Sequence, residues 1–144
     1  MNAADLLRNS THSVVAVSPD GTLLGSADGK GVRPFMTLAL ELGPALRGAA
    51  LADKVVGRAV ALGCVHFGVA SVFGFVMSDG ARAILGAAGI PHTYDRTVPF
   101  IRNREGTGLC PVEALMVDLT DPAVAMDRVA TFLGMQLPSQ EVSP

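Results

Sequence analysis

Tryptophan is absent from the 144 residues and tyrosine occurs once, so the chain carries little with which to stack nucleic-acid bases. Charge is sparse too. Charged residues make up 17%, and eleven basic against thirteen acidic side chains leave a net charge of −2 with no basic stripe to track a phosphate backbone; nucleic acid is therefore not an expected partner. The two cysteines, Cys64 and Cys110, have no disulfide-framework spacing, which fits a reducing compartment. No apolar run is long enough to span a bilayer, and residues 1–8 lack a basic start followed by an apolar segment. The expectation is a cytoplasmic protein with no membrane partner. What is abundant is apolar character, at 49% of residues. That is enough for one core, read as a single domain over residues 1–135 with 136–144 as a flexible tail.

Along the chain, residues 3–9 read as a short helix, and residues 12–17 as a strand that turns at Ser18-Pro19-Asp20-Gly21 into a second strand over 22–26. Pro34 opens a helix with Phe35, Leu38 and Leu42 at helical spacing, stopped by Gly43-Pro44. Lys30 and Arg33 flank its start and read first as solvated loop charges. Residues 52–64 predict a helix that is apolar nearly all round, hence buried, with Asp53, Lys54 and Arg58 gathered at its beginning. Lys54 and Arg58 would then be i,i+4 neighbours near a helix N-terminus, where cations oppose the macrodipole unless an anion or carboxylate answers them. A bound phosphate could do so. Gly57, costly inside a helix, implies close approach by a neighbouring element.

Residues 69–77 are apolar and β-rich enough for a central strand covered on both faces. Ser78 then caps a helix with Asp79 and Gly80 in its first turn and Gly89 at its end, which is the strand-to-helix edge where open α/β sheets bind ligands. Residues 92–95 and 97–103 predict two short strands or one bent edge strand, because Pro99 cannot donate to a ladder. A final helix is expected with Asp121 as cap and Pro122 at its first position.

The segment Asn103-Arg104-Glu105-Gly106-Thr107-Gly108-Leu109-Cys110-Pro111-Val112-Glu113 crowds unusual backbone and reactive side chains together. The glycines allow positive φ or close ligand approach, Pro111 suits a helix start over 111–119, and Cys110 would be its N-cap with Glu113 one turn inside. A thiol so placed gains thiolate character, although the same residues also make an ordinary helix start. Metal is not expected: His12, His66 and His92 are scattered, and Cys64-Val65-His66 is the only close pair. No nucleophile elbow, phosphate-binding loop or dinucleotide fingerprint follows a strand, so no cofactor is implied.

The segments Gly31-Val32-Arg33-Pro34, Leu51-Ala52-Asp53-Lys54-Val55-Val56-Gly57-Arg58, Val76-Met77-Ser78, and Val98-Pro99-Phe100-Ile101-Arg102-Asn103-Arg104 through Gly108-Leu109-Cys110-Pro111-Val112-Glu113 together resemble the family called domain of unknown function 1893. The resemblance implies a cytidine-deaminase-like α/β fold, a three-layer α/β/α sandwich around a mixed β-sheet. Where zinc deaminases carry ligands and a catalytic glutamate, this chain has Ala52-Asp53-Lys54 and Met77-Ser78-Asp79-Gly80-Ala81, so zinc-dependent deamination is not expected. The leading expectation is a regulatory or sensing domain for an anionic, nucleotide-like small molecule. Its ligand-binding residues would be Asp53, Lys54, Arg58, Ser78, Asp79, Gly80, Asn103, Arg104, Gly108 and Cys110. The alternatives are an enzyme using Cys110 as nucleophile with Glu113 or Lys54 moving protons, and an interaction module, such as a homodimer, whose interface uses part of the apolar content.

Overall fold

In the computed structural model, which describes residues 2–103 and 105–136, the chain's alternating start folds as foreseen into a hairpin. Strands β1 (Val14–Val17) and β2 (Leu23–Ala27) pair antiparallel around a turn in which Gly21 takes a φ of 90°. The Ser18 hydroxyl bonds to the Asp20 carboxylate there, and the Thr22 N–H donates to both side chains.

The predicted buried helix over 52–64 is corrected. Its first half is strand β3 (Ala50–Val56), and helix α3 begins only at Arg58 and runs as Arg58–Phe67. A segment apolar on every side satisfies either element, since a strand covered on both faces has no periodicity to separate it from a buried helix. The break falls at Gly57, the extended N-cap of α3. Lys54 and Arg58 are thus not neighbours on one helix face.

Strand β3 pairs antiparallel with β1 and parallel with β4 (Ser71–Ser78), which pairs parallel with the edge strand β5 (His92–Val98). The sheet is mixed and five-stranded, in the order β2-β1-β3-β4-β5. Pro99 ends β5, and the stretch after it is not strand. Ser78 caps α4 (Asp79–Ala87) through a hydrogen bond from the Ala81 N–H at 3.1 Å. Asp121 caps α6 (Pro122–Leu133) by accepting from the Ala123 and Val124 N–H groups.

Two cores lie on opposite faces of the sheet. The larger joins α2 (Arg33–Leu42), α3, α4, α5 (Pro111–Met116) and α6 to Val14, Leu51, Val72 and Met77. The smaller holds Ala3 and Leu7 of α1 (Ala3–Arg8) against Val15, Val17, Ala52 and Phe73. The result is an α/β sandwich with one thick helical layer and one thin one. Among the described residues no helix is long and apolar enough to cross a membrane. The expected tail falls almost wholly in 137–144, outside the described residues.

Candidate functional site

Parallel β3 and β4 end side by side, with Val56 opposite Met77, and each leads into a helix. The starts of α3 and α4 therefore meet at one edge of the sheet. Gly57 offers no side chain to cap α3, and its first N–H, on Arg58, donates instead to Glu113 Oε1 at 3.2 Å. The other carboxylate oxygen accepts from the Ile101 N–H at 3.1 Å, and Arg58 Nε lies 3.8 Å from Oε1. Glu113 is only 3% exposed. The anion that a helix end and a nearby cation require is thus supplied by the protein from a residue 55 positions downstream. A Cβ on Gly57 would lie 2.9 Å from both Glu113 Oε2 and Ile101 Cγ1, so the glycine is there to admit them.

The Arg58 side chain fills the space between the helix starts. A Cβ on Gly80 would lie 2.5 Å from its Nε, and its Nη1 reaches the Val117 carbonyl at 3.4 Å. Arg58 ties α3, α4 and the end of α5 together.

In front of this junction opens a cleft of about 630 Å³. Its walls come from the loop before α2 (Lys30, Val32), the end of β3 (Val55), the first turn of α3 and the loop that follows β5. That loop folds back on itself: the Cys110 N–H donates to the Ile101 carbonyl at 2.9 Å, the Asn103 N–H to the Gly108 carbonyl at 2.9 Å, and Gly106 turns with a φ of 71°. Asn103 also accepts from the Thr107 N–H at 3.1 Å, so its side chain shapes the loop. Gly108 has a negative φ and open space around it, so a left-handed backbone is not what the glycine supplies there.

Of the residues singled out from sequence, Arg58, Asn103, Cys110 and Glu113 line the cleft. Ser78, Asp79 and Gly80 lie behind Arg58, outside it, and Ser78 spends its hydroxyl on capping. Arg104 lies outside the described residues. Lys54 is exposed on β3 and Asp53 is buried in mid-strand, so neither lines the cleft or starts a helix. Asp53 faces the larger core, where burial pushes its carboxyl up to about 7, only partly offset by the Val55 and Lys54 N–H groups and the Lys54 charge. The same burial, with Asp53 nearby, pushes the Cys64 thiol up. Cys64 is a core residue, whereas Cys110 is half-buried at the cleft wall and makes no capping hydrogen bond.

Lys30, Ile101, Arg102 and Glu105 also line the cleft. Lys30 had a signal, since glycines flank it before a helix start; for Arg102 there was none beyond its place beside the glycine-rich segment. Neither cation forms an ion pair with a carboxylate among the described residues; Arg102 reaches only the Gly106 carbonyl, at 3.4 Å. His12 pairs with Asp28, and among the described residues no three His, Cys, Asp or Glu side chains gather in a way that could hold a metal.

Comparison with known proteins gives the fold an independent reference. The crystal structure of a DUF1893 family protein from Thermotoga maritima superposes with a TM-score of 0.81 at 23% identity, over 90% of this chain and 86% of that one. No curated protein matches. The family profile described as domain of unknown function (DUF1893) matches residues 2–133. With a match over nearly its whole length, the chain belongs to the DUF1893 family.

Proposed function

We propose that this domain binds an anionic small molecule with an apolar body, nucleotide-like in size, in the cleft in front of α3, and that its role is regulatory or sensing. The observation that carries the reading is the pair Lys30 and Arg102: two cations without a described carboxylate partner, on a 630 Å³ cleft otherwise walled by Val32, Val55, Ile101 and Val112. Three basic side chains (Lys30, Arg58, Arg102) face two acidic ones (Glu105, Glu113), an excess of one positive charge. The volume suits a drug-sized ligand, and the cleft lies outside the carboxyl ends of parallel strands, where α/β sheets favour binding. The anion is held by side chains, because the first N–H of α3 already serves Glu113. On this reading the protein works in the cytoplasm on a cytidine-deaminase-like scaffold, without zinc chemistry.

Native mass spectrometry of the purified protein comes first, followed by calorimetric titration with adenosine and cytidine monophosphates and inorganic phosphate. The expected outcome is a co-purified anionic compound or a binding nucleoside monophosphate, with Lys30→Ala and Arg102→Ala each weakening it by about tenfold, the usual worth of one well-placed charge. An empty protein that takes up none of these, or a double variant with full affinity, overturns the reading.

Cys110 supports a second reading, a thiol nucleophile, because its side chain lines the same cleft. Against it, both oxygens of Glu113 are occupied by N–H groups and Lys54 lies outside the cleft, so neither proton carrier expected from sequence is in place. Rapid iodoacetamide labelling of Cys110 below pH 8 in the folded protein would favour it.

A further inference from the structure

The apolar walls of the cleft are aliphatic. Val32, Val55, Val60, Ile101 and Val112 line it, and among the described residues no Phe, Tyr, Trp or His does. Phe100, next to Ile101, is 48% exposed and is not one of the walls. A nucleobase is gripped mainly by stacking on a ring and by side-chain hydrogen bonds at its edge. Neither is on offer here. The Asn103 amide is turned into its own loop, donating to the Thr107 hydroxyl at 3.2 Å and accepting from the Thr107 N–H at 3.1 Å. Both Glu113 oxygens accept N–H groups, and the Arg58 guanidinium is shared between Glu113 and the Val117 carbonyl.

What remains is an aliphatic surface with cations set into it. Val32 lies two residues after Lys30, and Ile101 directly before Arg102, so each of two separate segments brings a cation and an apolar wall together. Such a surface gains from burying methylene groups, whereas the polar atoms of a base would lose water there without finding partners. The head follows from charge. Neither Lys30 nor Arg102 has a carboxylate partner among the described residues. A phosphate monoester carries close to two negative charges near neutral pH and can answer both cations, while a carboxylate has charge for one.

We infer that the cleft takes an aliphatic phosphate monoester, its alkyl chain along the valine and isoleucine walls and its phosphate at Lys30 and Arg102. The inference rests on the anion-binding reading and narrows it, from any nucleotide-sized anion to one whose body carries no base.

Calorimetric titration of the full chain with inorganic phosphate, with ethyl, butyl, hexyl and octyl phosphate, and with adenosine and cytidine monophosphates tests it. Affinity should rise by about fourfold per methylene from ethyl to hexyl phosphate, the usual worth of a buried CH₂. Hexyl phosphate should outbind both nucleoside monophosphates by about tenfold or more. Val55 is 43% exposed, so Val55→Ser should keep the melting temperature of the parent, weaken hexyl phosphate severalfold and leave inorganic phosphate unchanged. A nucleoside monophosphate that binds tighter than every alkyl phosphate overturns the inference and leaves the anion site standing. So does an affinity that does not grow with chain length, or one that Val55→Ser leaves as it was. A protein that binds none of these compounds overturns the anion site itself, and this inference with it.

Discussion

Two acidic side chains are buried among the described residues, and they are opposites. Glu113 is 3% exposed and receives two backbone N–H groups and a guanidinium; Asp53 is 6% exposed and answers mainly to desolvation, which pushes its carboxyl up to about 7. The difference lies in reach: Glu113 joins backbone groups of two distant segments, whereas Asp53 is met only by N–H groups and a charge of its own strand. Glu113 organises the edge where the sheet meets its helices. Asp53 weakens the core it occupies once it must ionise.

The largest expected effect follows from removing the organiser. Glu113→Ala would strand the Arg58 and Ile101 N–H groups and leave Arg58 facing two helix N-termini without a counter-charge. Two stranded N–H groups cost about 1–3 kcal/mol each, so the loss should be about 2–5 kcal/mol, with the part-exposed Arg58 adding little. Urea denaturation should register a loss of that order, with Glu113→Gln recovering part of it because one oxygen still accepts. A loss below about 1 kcal/mol would mean that water replaces the carboxylate without difficulty, and the contrast with Asp53 would fail.

How far each of the pair was legible in sequence follows from the range of its interactions. Locally determined elements were readable: the Ser18 to Gly21 turn, the Ser78 and Asp121 caps, and the glycine and proline punctuation around α2 and α5. Gly57 was correctly marked as a point of close approach, but what approaches it, Glu113 and Ile101, comes from more than 40 residues away, and no local pattern encodes that. The same distance hid the answer to the misplaced cation: the sequence called for an anion at the start of α3 and could not name the protein's own. Asp53 was misplaced for a different reason. In a stretch apolar on all sides neither the 3.6 nor the 2.0 period stands out, so its first half was assigned to the helix. Lys30 reached the cleft through a loop whose path only the packed structure defines.

A second test addresses Asp53 directly. Its folded pKa is raised above the ordinary carboxyl value, so between about pH 4 and 7 the native state holds a proton that the unfolded chain has lost. Stability contributed by this group is therefore full below pH 4, falls as pH rises toward 7, and is constant above it. The maximal slope is about 1.4 kcal/mol per pH unit. Asp53→Asn keeps an acceptor for the Val55 N–H and removes the titration. Subtracting the variant's urea stability from the parent's should leave a difference that changes by about 2 kcal/mol from pH 5 to 6.5. Curves that run parallel over that range would show that Asp53 titrates as an ordinary surface carboxyl.

The smallest effect separates Asp53 from its sequence neighbour. Lys54 is exposed and outside the cleft, so Lys54→Ala should alter stability by under about 0.5 kcal/mol at pH 5, as surface substitutions usually do, and leave binding of any cleft ligand unchanged. Yet the Lys54 charge is one of the influences that hold the Asp53 carboxyl down against desolvation. Without it the folded pKa of Asp53 rises further, and the window in which stability is lost reaches to higher pH. The variant should therefore match the parent in acid and fall slightly below it above pH 7, and this difference should vanish when Lys54→Ala is combined with Asp53→Asn. A deficit that persists in the double variant would trace Lys54 to a contact of its own, and a loss of cleft binding in the single variant would return it to the site from which its place on β3 removes it.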